Sequence, residues 1–464
     1  MRARPSSRDQ DSGGSSRRIE RSFPLSMKSS GSGVASPRNS LARWWRSART
    51  SFFWMVLIAL ALRFGYITIA HTYRLKTVEN HFDFGWEMGR IGRSLAQGRG
   101  FGNPFMGNTG PTAWEPPLYP FLIAVVFKLF GIYSRASAVV LLGFNGVCSA
   151  MTCIPIFLIG KRCFNERVAV WTAWTWVFLP AAIFWSTRWV WETSLAALLL
   201  ACIFWLTLSM ENVADTRIWI GFGVLWGVAA LVNPSLLSFL PASGLWAAWH
   251  WRRRSHVFAG VIAASIVFIA CIAPWLIRNY ETYRQPVFIR SNFGAELRMG
   301  NGPGANGLWM EYLHPTKNVA QLQEYRELGE LNYVAERKQE ALAYIREDYG
   351  RFAGLCLKRF IYYWSGLPHS PDESRLAPLG NTLYLASSIL AFWGLGRALR
   401  KQQPGAQLFM WLALCYPLIY YVVYPHPRYR HPIEPELLIL IVYVISEAET
   451  RAGKTAHSGS MLST

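Results

Sequence analysis

The chain has 464 residues, with 47 Lys+Arg against 27 Asp+Glu and a formal net charge of +20. Apolar residues make up 52% and charged residues only 16%, against about 25% charged in an ordinary soluble domain. That composition excludes a soluble enzyme, a disordered chain and a disulfide scaffold, and fits a chain whose middle is dissolved in lipid. The basic excess is unevenly placed. Residues 1–50 hold 11 Lys/Arg and 3 Asp/Glu in a Ser/Gly/Arg-rich stretch without apolar period. No aromatic stacking pattern accompanies this charge, so no nucleic-acid partner is expected. The stretch reads as a disordered cytoplasmic tail facing anionic lipid, with Arg43, Trp44, Trp45, Arg46 and Arg49 at the membrane surface.

Residues 51–70 form the first apolar run, about 20 residues and enough for ~30 Å of helix. Arg63 lies inside it and needs a partner or an aqueous cavity. The long charged region before it, and the absence of a small-residue cleavage site after it, make it a signal anchor rather than a cleavable peptide. Further apolar segments fall near 138–160, 168–187, 191–210, 217–232, 235–250, 256–277, 382–398, 407–424 and 432–447. Residues 117–130 are also apolar, but at about 14 residues they are short for a crossing and suit a surface helix.

Charge asymmetry sets the sides. If 117–130 does not cross, the tail, Lys161-Arg162, Arg252-Arg253-Arg254, Arg397/Arg400/Lys401 and Arg451/Lys454 all fall in the cytoplasm. This gives an all-α polytopic membrane protein of about ten spans with both termini inside. The organisation is then a basic tail (1–50), an N-terminal membrane module (51–278) with a first outer loop (71–116) and the surface helix (117–130), an outer loop domain (279–381), C-terminal membrane helices (382–447) and a second cytoplasmic tail (448–464). Within 315–365 the spacing of Leu322, Tyr325, Leu328, Leu331, Tyr333/Val334, Leu342 and Tyr344/Ile345 predicts an amphipathic helical insertion. Six of the seven cysteines lie in or beside membrane segments, so no disulfide framework is expected.

Three outward-facing clusters carry candidate chemistry. In His81-Phe82-Asp83-Phe84-Gly85-Trp86-Glu87, Asp83 and Glu87 are spaced i, i+4 and would share one face of a helix. One such carboxylate at the membrane surface is a candidate general base, against the plainer reading of a solvated helix face. His81 beside Asp83 is a thin case for a metal ligand. The second cluster, Pro274-Trp275-Leu276-Ile277-Arg278-Asn279-Tyr280, leads to Phe288-Ile289-Arg290-Ser291-Asn292-Phe293-Gly294 and a Gly/Asn-rich loop. Arg278, at a span end, reads as a snorkelling anchor. The third, Tyr424-Pro425-His426-Pro427-Arg428-Tyr429-Arg430-His431-Pro432-Ile433-Glu434-Pro435, holds two Arg, two His and one Glu between prolines. Arg428 and Arg430 suit bidentate binding of a phosphate at headgroup depth, or interfacial anchoring.

The order of these pieces resembles the polytopic GT-C glycosyltransferases that use polyprenyl-phosphate sugars, of the family-39-like type related to protein O-mannosyltransferases and aminoarabinose transferases. The matching stretches are HFDFGWEMGRIGRSLAQGRGF, WEPPLYPFLIAVVFKLFG, APWLIRNY, FIRSNFGAELRMGN and PRYRHPIEP, spread from about residue 51 to 447. The resemblance implies inverting transfer of a glycosyl group from a polyprenyl-phosphate sugar to a protein, lipid or glycan acceptor. It places the enzyme in a bacterial inner membrane with its site facing the periplasm or exterior. It implies Asp83 as base or acceptor-positioning acid, Arg428 and Arg430 at the donor phosphate with Arg278 behind them, and a surface helix at 117–130. Many relatives carry adjacent acids in the first loop. Here Phe84 follows Asp83, and the next acid is Glu87. Glu87, His81 and Glu115 are candidate acceptor or metal contacts, Glu115 being equally a helix-start acid. No cofactor is required by these residues, and a divalent metal is left open. The rival readings are a transporter or flippase for an anionic lipid or lipid-linked sugar, and a non-catalytic envelope assembly subunit. Transporters place polar residues mid-membrane and show paired repeats; here the ionisable residues gather at one face.

Overall fold

Each of the ten apolar segments is helical over most of its length, and among the described residues there is no β-strand, only an isolated bridge between Gly102 and Pro111. The structure is a computed structural model that describes residues 50–76, 81–210, 215–250, 256–368 and 377–461. The tail up to residue 49, the basic cluster Arg252–Arg254 and residues 369–376 of the loop returning to the membrane lie outside the described residues. Four helices are long and apolar enough to cross a membrane: Phe52–Ile69, Arg135–Cys163, Val257–Tyr283 and Leu379–Arg400. Glu166–Phe178 and Pro180–Thr187 add a fifth crossing if the pair, bent by 48°, is one span. Thr193–Ser209 and Thr216–Val232 are apolar throughout but have 17 residues each, roughly 25 Å at 1.5 Å per residue. Leu118–Phe130, at 13 residues, is shorter still and packs on Glu87–Ala96 and Arg135–Met151.

The bend after Phe178 explains Arg63. Pro180 has no N–H to return to the carbonyl of Trp176, so the helix breaks and Trp176 O takes a long bond from Leu179 N at 3.4 Å instead. Arg63 is fully buried and supplies further donors. Its Nη2 donates to Trp176 O at 3.4 Å, its Nη1 to Val177 O at 3.2 Å, and its Nε to Ser149 Oγ at 3.0 Å. A guanidinium inside an apolar run is thus matched to a backbone defect on a neighbouring helix. Close packing elsewhere uses small residues. Gly223 and Gly227 form a GxxxG face on Thr216–Val232, where a Cβ would come within 2.4 Å of Ala264 O and of Cys271 Cβ on Val257–Tyr283.

The outer insertion is helical as expected, in three pieces: Val319–Leu328, Glu330–Glu347 and Tyr349–Ser365. It breaks at Gly329, whose φ of 73° favours glycine, and at Asp348, whose side chain caps the last helix through Arg351 N. Glu330 ties it to the first outer segment. Its buried carboxylate accepts from Ala113 N (2.7 Å), Ser291 Oγ (2.7 Å), Tyr325 OH (2.8 Å), Tyr283 OH (3.0 Å) and the Thr112 hydroxyl. Buried Arg359 on Tyr349–Ser365 donates to Asn301 Oδ1 at 3.0 Å and to Val422 O at 2.8 Å, fastening the insertion to the helix Leu418–Val422. Between the last turn of Ala377–Arg400 and the middle of Glu434–Met461, Arg397 Nη2 lies 2.7 Å from Glu447, which Lys401 also approaches.

Candidate active site

A cavity of about 450 Å³ collects residues from six separate stretches, 82–88, 114–115, 189–192, 233–235, 288–296 and 419–429, together with Trp309 and His314. All are segments that the charge argument places on the outer side or at the outer ends of spans. Its polar wall holds Glu87, Glu115, Glu192, Glu296, Arg290 and Arg428, set among tryptophans and tyrosines.

Glu115 precedes Pro116-Pro117 and the helix Leu118–Phe130. It is 4% exposed. Arg290 reaches across from the 288–294 loop, donating from Nη2 to Glu115 Oε1 at 2.8 Å and from Nε to Trp114 O at 2.7 Å. One guanidinium therefore fixes both the backbone and the carboxylate. The second oxygen, Oε2, is buried with no hydrogen-bond partner. Burial pushes this carboxyl up to about 8. Arg290 opposes the rise, and Glu87, Glu192 and Glu296 add to it.

Glu296 sits one helical turn beyond Asn292, which donates to it at 2.7 Å, and the Tyr424 hydroxyl donates to its other oxygen. Glu87 opens the helix Glu87–Ala96 and is equally enclosed. Thr316 Oγ1 donates to its Oε1 at 3.0 Å, and Arg90 Nη1 lies 3.8 Å away. Burial raises the Glu87 carboxyl, against the pull of Arg90. His314 Nε2 is 3.7 Å from the same oxygen, but burial lowers that imidazole to about 4, so at neutral pH the contact is with a neutral ring.

Arg428 lies partly buried against the indole of Trp191, its Cζ 3.7 Å from the ring centroid. Its backbone N–H donates to His426 Nδ1 at 3.1 Å, a cap that starts the short turn Pro427–Arg430. Among the described residues no carboxylate lies within 4 Å of its guanidinium. Arg430 does not share this position. Residues two apart on a helical turn point about 200° apart, and Arg430 is buried on the far side. There it donates from Nη1 to Ser388 Oγ at 2.7 Å and from Nη2 to Ser387 Oγ at 2.8 Å, and its Nε lies 2.7 Å from Glu434. The expectation that both arginines chelate one phosphate is corrected accordingly.

Other expected positions also separate. Gly85, at φ 81°, and Trp86, at φ 43°, break the chain between the turn Phe82–Phe84 and the helix Glu87–Ala96, so Asp83 and Glu87 share no helical face. Glycine is required at 85 twice over, since a Cβ there would also meet Val190 O at 2.5 Å. Asp83 is half-buried. Its Oδ2 accepts from Lys76 N at 2.9 Å and its carbonyl from Val190 N at 2.9 Å, and its neighbour Phe82, rather than Asp83 itself, lines the cavity. His81 stacks on Tyr133 with centroids 3.8 Å apart, away from the cavity. Arg278 donates to Thr112 O at 2.7 Å and Phe101 O at 2.8 Å, pinning the first outer segment to the end of Val257–Tyr283. Among the described residues no group of three or more His, Cys, Asp or Glu side chains is placed to hold a metal ion. Glu192, Arg290 and Glu296 are the cavity residues that sequence reasoning passed over. The one signal was Glu192, an acid opening an otherwise uncharged apolar helix.

The sequence model of the family described as dolichyl-phosphate-mannose-protein mannosyltransferase matches residues 114–277. Among solved structures, the archaeal oligosaccharyltransferase AglB from Archaeoglobus fulgidus, in complex with an inhibitory peptide and a dolichol-phosphate, superposes with a TM-score of 0.53 over 90% of this chain and 52% of that one at 13% identity. The apo form of the same enzyme gives 0.54 over 91% and 52%, also at 13% identity. The chain carries the GT-C fold. It spans about half the length of the oligosaccharyltransferase chains it matches. Apo ArnT from Cupriavidus metallidurans aligns with 87% of this chain and 77% of its own at 14% identity, with a TM-score of 0.37. No curated protein matches the chain by sequence. The family match starts at Trp114 and takes in Glu115, Trp191, Glu192 and Asn233; Arg290 and Arg428 lie beyond it.

Proposed function

We propose that the protein transfers a glycosyl group from a polyprenyl-phosphate-linked sugar to an acceptor on the outer face of a bacterial inner membrane. The observation that carries this reading is the pairing, in one cavity, of a guanidinium (Arg428) with no carboxylate within 4 Å and a buried carboxylate (Glu115) with one unpartnered oxygen, both counted among the described residues. The family match and the GT-C fold support it.

In the proposed step an acceptor hydroxyl attacks the anomeric carbon as the bond from that carbon to the phosphate oxygen breaks. The hydroxyl proton passes to a cavity carboxylate, and polyprenyl phosphate leaves with the bonding pair. A single displacement of this kind inverts the anomeric centre. Arg428 takes the charge that develops on the leaving phosphate, where a pre-placed cation in a low-dielectric site is most effective. The resemblance assigns the base to Asp83. The geometry favours Glu115, which has a free oxygen in the cavity and a pKa near the working range. The acceptor (protein, lipid or glycan) and the sugar are read by the rest of the cavity and by the insertion above it.

The test is purified full-length protein in liposomes offered a panel of prenyl-phosphate sugars and acceptors, with products read by mass. The wild type forms a glycosylated product and releases prenyl phosphate. Removal of a catalytic base costs about 10²–10⁴-fold, expected for Glu115→Gln and not for Asp83→Asn. The reverse order returns the role to Asp83, and absence of transfer from every donor overturns the proposal.

A further inference from the structure

Glu192 takes no part in the step just described, yet it is 8% exposed and lines the same cavity. Its Oε1 accepts from Asn233 Nδ2 at 3.3 Å, while Oε2 is buried without a partner among the described residues. The Trp191 Nε1–H is likewise buried and unpartnered. Asn233 is held by its other end, its Oδ1 capping the turn Pro234–Phe239 through Ser235 N at 3.1 Å. Its amide nitrogen has two N–H groups and uses one on Glu192.

This wall therefore offers one strong acceptor and two donors, the Glu192 oxygen and the Trp191 N–H buried and the Asn233 amide half-buried. A cation is a poor occupant, because Arg428 already lies 3.7 Å from the Trp191 ring and like charges repel strongly in such a site. An anion would meet Glu192 itself. A neutral hydroxyl, which both donates and accepts, satisfies the set.

We infer that Glu192, Asn233 and the Trp191 indole N–H form the subsite that binds hydroxyl groups of the glycosyl unit, beside the phosphate held by Arg428. This rests on the donor reading above and extends it from the phosphate to the sugar. The subsite separates two affinities that the donor carries in one molecule, one for its phosphate and one for its hydroxyls.

The experiment is a tryptophan-fluorescence titration of purified wild type, Glu192→Gln and Asn233→Ser. The ligands are a short prenyl phosphate, the same lipid phosphate bearing each of a set of hexoses and pentoses, and monodeoxy versions of the tightest of these. Serine at 233 keeps the cap and loses the amide N–H, so it serves if the glutamine variant fails to fold. The wild type binds the best glycosylated ligand at least about tenfold more tightly than the bare phosphate, in keeping with hydrogen bonds to a charged group. Both variants lose that margin and keep the affinity for the bare phosphate, and one deoxy ligand binds the wild type as weakly as the full sugar binds the variant. Equal binding of both ligands by the wild type, or equal weakening of both in the variants, overturns the inference. Failure of the wild type to bind prenyl phosphate at all instead strikes at the donor reading.

Discussion

Arg290 and Glu115 form a unit with a measurable consequence. Because the carboxyl rests near 8 and only its deprotonated form accepts a proton, kcat/KM rises as pH increases and levels off above about 8. Glu115→Gln flattens that limb. Arg290 opposes the rise, so Arg290→Met moves the limb to higher pH by about one unit or more; a pH–rate profile of the three proteins checks both statements. These residues were only partly legible beforehand. Glu115 and Arg428 stood in recognisable stretches, but Arg428 and Arg430 are indistinguishable until the turn Pro427–Arg430 sends them to opposite sides. Asp83 and Glu87 have helical spacing that Gly85 cancels. Arg290 reads as one charge in a turn, and its pairing spans 175 positions of sequence.

Among the elements, two buried charges do structural work far from chemistry. Arg63 donates to the backbone at the break before Pro180, so Arg63→Met takes the donor from Val177 O and lowers stability by about 1–3 kcal/mol, the cost of one unsatisfied buried group. Glu330 gathers five donors from four separate stretches, and Glu330→Ala orphans them together. Thermal unfolding in detergent shows the first effect as a lower Tm. The second adds earlier proteolysis within 319–365 as the insertion loses its hold. The helices themselves could be read from hydropathy and spacing, because burial in lipid requires satisfied backbones and helices satisfy them internally. The breaks could not, since Pro180 and Gly329 show where a helix stops but not what meets the exposed ends.

For the whole molecule, charge asymmetry predicts that the cavity faces outward and the Arg397–Lys401–Glu447 cluster inward. Single cysteines at Asn108 and Lys401, both exposed, are expected to react with an impermeant thiol reagent from outside and only after permeabilisation, respectively. The opposite pattern would reverse the orientation. The helical fold follows from composition, whereas the site depends on contacts between residues as far apart in sequence as Glu87 and Thr316, 229 positions, which periodicity does not encode. The most direct test of the account is a structure of the full chain with a bound prenyl phosphate. The phosphate oxygens are expected about 3 Å from the Arg428 guanidinium, inside the cavity that holds Glu115. A phosphate seated instead on Arg430 or Arg278, or outside that cavity, contradicts it.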